Sequence, residues 1–369
     1  MELSSLENAY YKDNDVAIFN GNSLPVLRLL PANSIDCVIT SPPYWALRDY
    51  GTDGLVWDGS PECNHEWLDT VNNSCPKCGA WKGSLGLEPD FNLYIKHLLD
   101  IFSEAKRVLK EEGSLWVNLG DTYSGSHQGY GKNTLTRLSE KKRENLGSVD
   151  SYLQKYNHTI NKPPPSSKTS LPDKSLCMIP YRFAIGMVDR GWILRNDIIW
   201  HKPSCMPQSV YDRFTVDYEH VFFFVKNRHY YFKQQFEPFK NSSLLRAKYG
   251  SYSKKTDMGI HGGMTLKTQL EAFRKIDSGE LPGRNKRCVW MIASQSFKGK
   301  HFAVFPKTLV EIPISAGCPE GGIVLDPFTG SGTTGVVAKK LGRRFIGIEL
   351  SQKYIEEIIM PRLAEAVPA

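Results

Sequence analysis

Between Ile323 and Glu349 the chain reads as strand, glycine turn, helix and second strand, an order that few folds can house. Ile323-Val324-Leu325-Asp326-Pro327-Phe328 is an apolar run of strand length. It enters Thr329-Gly330-Ser331-Gly332-Thr333-Thr334, and a helix is expected from Gly335 to Leu341. Glycines between a strand and a helix let the backbone approach a ligand, and the helix amino terminus offers free N–H groups and positive potential. The next strand, Arg344-Phe345-Ile346-Gly347-Ile348-Glu349, ends in a carboxylate, where a doubly wound sheet places an acid to hold ribose hydroxyls. A nucleotide-free helix cap followed by a surface Glu satisfies the same residues, so this stretch predicts α/β layering before it predicts a ligand.

A second constrained stretch lies near the other end. Ser34-Ile35-Asp36-Cys37-Val38-Ile39 reads as a buried strand that delivers Thr40-Ser41-Pro42-Pro43-Tyr44-Trp45 at its carboxyl end. The two prolines lack N–H donors and hold an extended turn, which leaves the Ser41 hydroxyl and the carbonyls of Ser41 and Pro42 free to accept hydrogen bonds. Tyr44 or Trp45 offers a flat face for stacking. Acceptors beside an aromatic plate suit a planar ligand with an amino group, a nucleobase above all. Taken alone, the four residues read equally well as a proline turn ending a strand.

Together the two stretches resemble the amino-directed DNA methyltransferases that use S-adenosylmethionine, with a Ser/Asp/Asn-Pro-Pro-Tyr/Phe catalytic motif and an Asp-Pro-Phe-x-Gly-Ser-Gly-Thr-Thr cofactor motif. Catalytic motif first and cofactor motif last looks like the beta class. The resemblance covers residues 16 to 58, 85 to 124, 176 to 232 and 289 to 360. It implies a permuted doubly wound, mostly parallel sheet with helices on both faces, in which the strands ending at Thr40 and Asp326 are neighbours. Residues 1–124 and 176–232 would form the catalytic half, 125–175 a flexible insertion, 233–288 a variable target-recognition region, and 289–369 the cofactor-binding half. It further implies catalytic roles for Ser41, Pro42, Pro43 and Tyr44. Cofactor contacts would come from Asn22, Phe305, Asp326, Phe328, Gly330, Ser331, Gly332, Thr333, Thr334 and Glu349. At position 22 the family usually has an acid, and an amide brings no charge. A flipped base would stack on Tyr44 while Ser41 and the Pro42 carbonyl accept its amino hydrogens. Serine in the first motif position favours N4 of cytosine, with N6 of adenine as the alternative. A retired, binding-only relative and an RNA-directed enzyme are the other readings.

The loop Lys202 to Asp217 faces DNA in that family, which makes Arg195, Lys202 and Arg213 candidate contacts; ordinary surface charge is the competing reading. Arg246 and Lys248 belong to a basic, aromatic-containing stretch suited to target recognition. A net charge of +7 fits double-stranded DNA as partner, and a cognate restriction endonuclease would follow from the family. With 41% hydrophobic residues the chain can bury a full core. No apolar run approaches the ~18 residues of a membrane span and no signal peptide opens the chain, so a cytoplasmic protein with reduced cysteines is expected. Four side chains stand out: Cys63-x-His65 and Cys75-Pro76-Lys77-Cys78-Gly79, within residues 59–84, have the spacing of a structural zinc site. Asp121, after the strand Ser114 to Leu119, either caps a turn or lines the pocket. Between Phe91 and Leu109 the apolar spacing predicts a core-facing helix, with Gly113 as its stop signal.

Overall fold

The computed structural model describes residues 1–46, 54–67, 73–125, 170–205, 208, 210–242, 244, 271, 274–276, 278–294 and 305–366. Arg246, Lys248 and most of the stretches 125–175 and 233–288 lie outside the described residues.

After a 3-10 turn at Leu3–Ser5 comes the hairpin β1 (Tyr11–Lys12) and β2 (Val16–Asn20), followed by helix α1 (Ser23–Leu29). Strand β3 (Ile35–Thr40) is buried at every position, as a strand covered on both faces must be. The hairpin β4 (Leu55–Trp57) and β5 (Trp81–Gly83) forms a separate small sheet. Helix α2 (Phe91–Val108) is capped by Asp90, whose carboxylate accepts the Asn92 N–H at 2.7 Å, and it buries Phe91, Tyr94, Ile95, Leu98 and Phe102 at helical spacing. Strand β6 (Leu109–Leu119) follows at once, which corrects the expected stop at Gly113. Gly113 lies inside that strand, and a Cβ there would stand 2.6 Å from the Leu109 side chain and 3.0 Å from the Asp36 carbonyl.

Next come α3 (Ile179–Asp189), β7 (Ile193–His201), β8 (Tyr218–Val225), the short pair β9 (Phe236–Glu237) and β10 (Arg284–Asn285), and β11 (Val289–Met291). The last part holds α4 (Lys307–Gly317), β12 (Ile323–Asp326), α5 (Thr333–Lys340) and β13 (Arg344–Glu349). A helical run through Gln352–Tyr354, the π-helical Ile355–Ile359 and Met360–Ala364 closes the described chain. No helix among the described residues is long and apolar enough to cross a membrane.

Among the described residues, nine strands form the main sheet in the order β1-β2-β13-β12-β3-β6-β8-β7-β11. From β2 to β6 every neighbour is parallel; β8 runs antiparallel to β6 and β7, and β11 adds parallel to β7. The expected permuted, mostly parallel sheet is therefore present, with Leu325 beside Val38. Helices α1, α2 and α3 cover one face, where Leu27, Phe102 and Phe183 pack with Val38, Leu325 and Phe222. The other face carries α4, α5 and the final helical run, with Ile314, Val337 and Ile359 against Cys37, Val324 and Phe223. Ile35 and Cys37 point to opposite faces although two residues apart, because the register shifts between them as β6 advances from Leu109 to Ser114.

Candidate active site

The glycine turn and the proline motif meet at the carboxyl edge of β12 and β3, and Asp326 joins them. Its carboxylate is fully buried: Oδ1 accepts the Thr40 hydroxyl at 2.6 Å and the Phe328 N–H at 3.0 Å, while Oδ2 accepts the Thr334 hydroxyl at 2.6 Å. Burial pushes the carboxyl up to about 6, against the pull of these donors. Both oxygens are spent inside the protein, so Asp326 positions the turn, the first turn of α5 and the end of β3 relative to one another. Ser23 reinforces the joint by donating to the Pro327 carbonyl at 2.5 Å.

Within the turn, Gly332 is left-handed (φ 76°) and leads into α5 without a side-chain cap, so the first N–H groups of the helix face the edge of the sheet. Ser331, Thr333 and Thr334 are buried, Gly330 and Phe328 half-buried. Arg362, from the final helical run, donates to the Ser331 carbonyl and, at 3.2 Å, to the Thr333 hydroxyl. Glu349 ends β13 beside the turn; its oxygens accept the N–H groups of Gly330 and Ser351, each at 2.9 Å. Burial pushes this carboxyl up to about 7, with the backbone donors working the other way. The Asn22 amide oxygen accepts the Leu24 N–H at 3.1 Å and so caps α1, a local role that the residue type already signals. Phe305 is half-buried just before α4.

At the end of β3, the proline motif is gripped from below. Tyr94 donates its hydroxyl to the Pro43 carbonyl at 2.7 Å, and Ala46 N–H reaches the Gly86 carbonyl at 2.8 Å. Trp45 is 2% exposed, edge-on to Phe91, with its indole N–H on the Glu88 carbonyl at 2.8 Å. Trp45 therefore belongs to the core and leaves Tyr44 as the available plate. Among the described residues no group donates to the carbonyls of Ser41 or Pro42. The Tyr44 hydroxyl lies 2.8 Å from Glu219 Oε2 and 3.0 Å from Asn118 Oδ1, within reach of donating to either, and the Ser41 hydroxyl stands 3.4 Å from it. Burial, and then the Glu219 charge, raise the Tyr44 phenol well above its ordinary value, which keeps it a donor. Asn118 also donates to Glu219 Oε2 and to the His220 carbonyl, both at 3.1 Å, and Lys202 pairs with the other Glu219 oxygen. On the backbone side Gly120 makes room for the ring: a Cβ there would stand 2.6 Å from it.

The DNA methylase family model for N6 and N4 enzymes matches residues 35–360. The chain belongs to this family. It is 34% identical over 344 residues to the Type II methyltransferase M.Cfr9I of Citrobacter freundii, covering 93% of this chain and 86% of that protein. To M.SmaI of Serratia marcescens it is 33% identical over 337 residues, covering 91% and 87%. The solved PvuII DNA methyltransferase (cytosine-N4-specific) shares the fold, with a TM-score of 0.53 at 18% identity over 94% of this chain and 86% of that one.

A Cys/His cluster lies between β4 and β5. Cys63, His65, Cys75 and Cys78 bring their ligand atoms within 4.8 Å of one another, with Cys63 Sγ 3.9 Å from Cys75 Sγ and Cys78 Sγ 3.3 Å from His65 Nδ1. Burial alone would raise the Cys75 thiol; the His65 ring and the N–H groups of Glu66, Lys77 and Cys78 outweigh it and bring it down to about 6. Burial and its sister thiols push Cys63 up to about 11. Asp121 accepts the N–H of Thr122 at 2.8 Å and that of Ile179, the first residue of α3, at 3.1 Å, while its other oxygen is buried without a partner among the described residues.

Three basic candidates separate. Arg195 lies near the amino end of β7, about 20 Å of strand from His201, and bonds Tyr230, so it is not gathered with the motif. Lys202 is committed to Glu219 and to the face of Trp200, 4.4 Å from its centroid. Arg213 stays near the edge, stacked 4.2 Å from the centre of Tyr123. Sequence reasoning placed Thr40 and Gly120 at this edge without giving them a role, and missed Asn118 and Glu219 as parts of the site. A polar residue at the end of each apolar strand was the available signal; which neighbour it would meet was not.

Proposed function

We propose that this amino DNA methylase moves the methyl group of S-adenosylmethionine to the exocyclic amino nitrogen of a base flipped out of double-stranded DNA, with N4 of cytosine favoured over N6 of adenine. The observation that carries the reading is the joint at Asp326, which sets the uncapped glycine turn beside two carbonyls without protein donors and one aromatic plate. S-adenosylmethionine supplies an electrophilic methyl on a sulfonium. Gly330 to Thr334 and Glu349 hold it, with Phe305, Phe328 and Asn22 at its margins. Ser41 and the Pro42 carbonyl accept the two amino hydrogens, which turns the nitrogen lone pair out of the ring plane and toward the methyl. The N–C bond would form as the S–C bond breaks, with sulfur keeping the bonding pair and one amino proton passing to water. Tyr44 fixes the base plane, so positioning and fixed dipoles carry the rate.

Serine at position 41 supports cytosine. Lys202, Arg213, Arg246 and Lys248 remain proposed DNA contacts, residues 233–288 the proposed target-recognition region, and a cognate restriction endonuclease the proposed partner, in keeping with the Type II names of the relatives. Zinc is the proposed occupant of the Cys63, His65, Cys75 and Cys78 cluster. Tetrahedral Zn–S bonds set sulfurs about 3.8 Å apart, close to the 3.9 Å between Cys63 and Cys75. Four protein ligands close the shell, which makes the metal structural. The test is incubation with labelled S-adenosylmethionine and duplex DNA, then identification of the labelled nucleoside by mass. N4-methylcytosine is expected; N6-methyladenine would change the base, and unlabelled DNA with cofactor bound would overturn the reading.

A further inference from the structure

The loop between β7 and β8 presents two aromatic side chains that touch almost nothing. Tyr211 is 101% and Phe214 96% exposed, whereas the next most exposed large apolar side chain among the described residues, Met291, is at 73%. The loop that carries them is nonetheless anchored. Lys202 N–H bonds the Asp217 carbonyl at 2.7 Å and closes its base, next to the Lys202–Glu219 pair that reaches Tyr44. At the tip, Arg213 stacks on Tyr123 and donates to Gln208 at 2.9 Å and to the Phe214 carbonyl at 3.2 Å, and Lys174 pairs with Asp212 at 2.6 Å. Tyr123 lies three residues beyond Gly120, the residue that makes room for the Tyr44 ring. Phe214 is three residues from Asp217, so at most about 11 Å of chain separates it from the closed base of the loop.

Two bare rings on a pinned tip, in a loop whose base adjoins the Glu219–Tyr44 contact, call for a partner with flat apolar faces, and among the described residues none covers them. A duplex from which one base has left offers that partner: the vacated step exposes the faces of both neighbouring pairs, and an apolar or aromatic side chain that enters it replaces the lost stacking. We propose that Tyr211 and Phe214 are the wedge that fills the duplex when the target base turns into the site, with Arg213 setting the tip. The inference rests on the base-flipping reading above.

The experiment uses the full chain and a duplex carrying the sequence that the labelling experiment identifies. The double variant Tyr211→Ala/Phe214→Ala should methylate the matched duplex at least about tenfold more slowly, and should recover to within about threefold of wild type when the target base is mispaired and already loosened. Its S-adenosylmethionine affinity and melting temperature should match the wild type, and Phe214→Trp should keep activity. 2-Aminopurine at the target position should brighten with wild type and stay dim with the double variant. Wild-type rates on the matched duplex, or an equal loss on matched and mispaired duplexes, would overturn the wedge. Wild-type protein that methylates neither duplex would remove the flipping reading itself, and the wedge with it.

Discussion

Tyr44 is fixed at its hydroxyl by Glu219 and Asn118 and at its ring by the open side of Gly120, so its plane is set before a base arrives. Tyr44→Ala should cut methyl transfer by about a hundredfold or more while leaving cofactor affinity nearly unchanged; activity within a few-fold of wild type would end the stacking role. Glu219 holds the Tyr44 hydroxyl at 2.8 Å, so its expected effect on catalysis runs through Tyr44. Glu219→Ala should lower kcat about tenfold with cofactor affinity unchanged, and should cost little more once Tyr44→Phe has removed the hydroxyl. Full additivity of the two changes would show that Glu219 works by another route. Glu349 gives a pH prediction. Because its carboxyl is raised from 4.5 to about 7, the folded chain holds a proton that the unfolded chain has lost, so its contribution to stability falls as pH rises through that window. Asp326 acts likewise up to about 6. Melting curves should show Glu349→Gln flattening the decline between pH 6 and 7; identical slopes would place the proton elsewhere.

At the scale of elements, the β4–β5 hairpin that carries the Cys/His cluster braces the proline motif. His97 of α2 is 1% exposed and stacks on Trp57 of β4, 4.5 Å between ring centres, and on Trp81 of β5 at 5.7 Å. Its nitrogens meet Glu88 at 2.9 Å and Asp58 at 3.1 Å. Glu88 in turn accepts the Gly86 N–H at 2.8 Å and, through its carbonyl, the Trp45 indole. Gly59 packs against the Cys/His cluster, since a Cβ there would stand 2.8 Å from Cys78 Sγ. Chelation, or Cys75→Ser, should therefore lower the melting temperature by about 5 °C or more and change the near-ultraviolet signal of Trp57 and Trp81. Elemental analysis should find one zinc per chain, and a metal-free protein of unchanged stability would remove the bracing role. The Cys-x-x-Cys spacing made this cluster legible in the sequence. The tie from Trp57 and Trp81 to His97 was not, because stacking joins side chains whose positions depend on how the hairpin docks.

For the whole molecule, β12 and β13 lie between β2 and β3, so the last quarter of the chain fills the centre of a sheet begun by the first. A fragment ending at residue 288 would lose both strands and leave β2, with β1 on its other side, without its parallel neighbour. It should give no cooperative thermal transition, and a sharp transition in that fragment would show that residues 1–288 fold alone. Such long-range pairing closes large loops and is slow to form. What the sequence by itself determined is what depends on neighbours along the chain: the buried strands, the core face of α2, the glycine turn, the proline motif and the spacing of the Cys/His ligands. Even the adjacency of β3 and β12 came from family resemblance, since hydrophobic period carries no strand order. Tertiary structure alone decided which side chains the edge of the sheet brings together: Asp326 with Thr40, Glu219 with Tyr44, and Trp45 withdrawn into the core. Those pairings join strands through side chains hundreds or scores of residues apart, and only the packed sheet sets those distances.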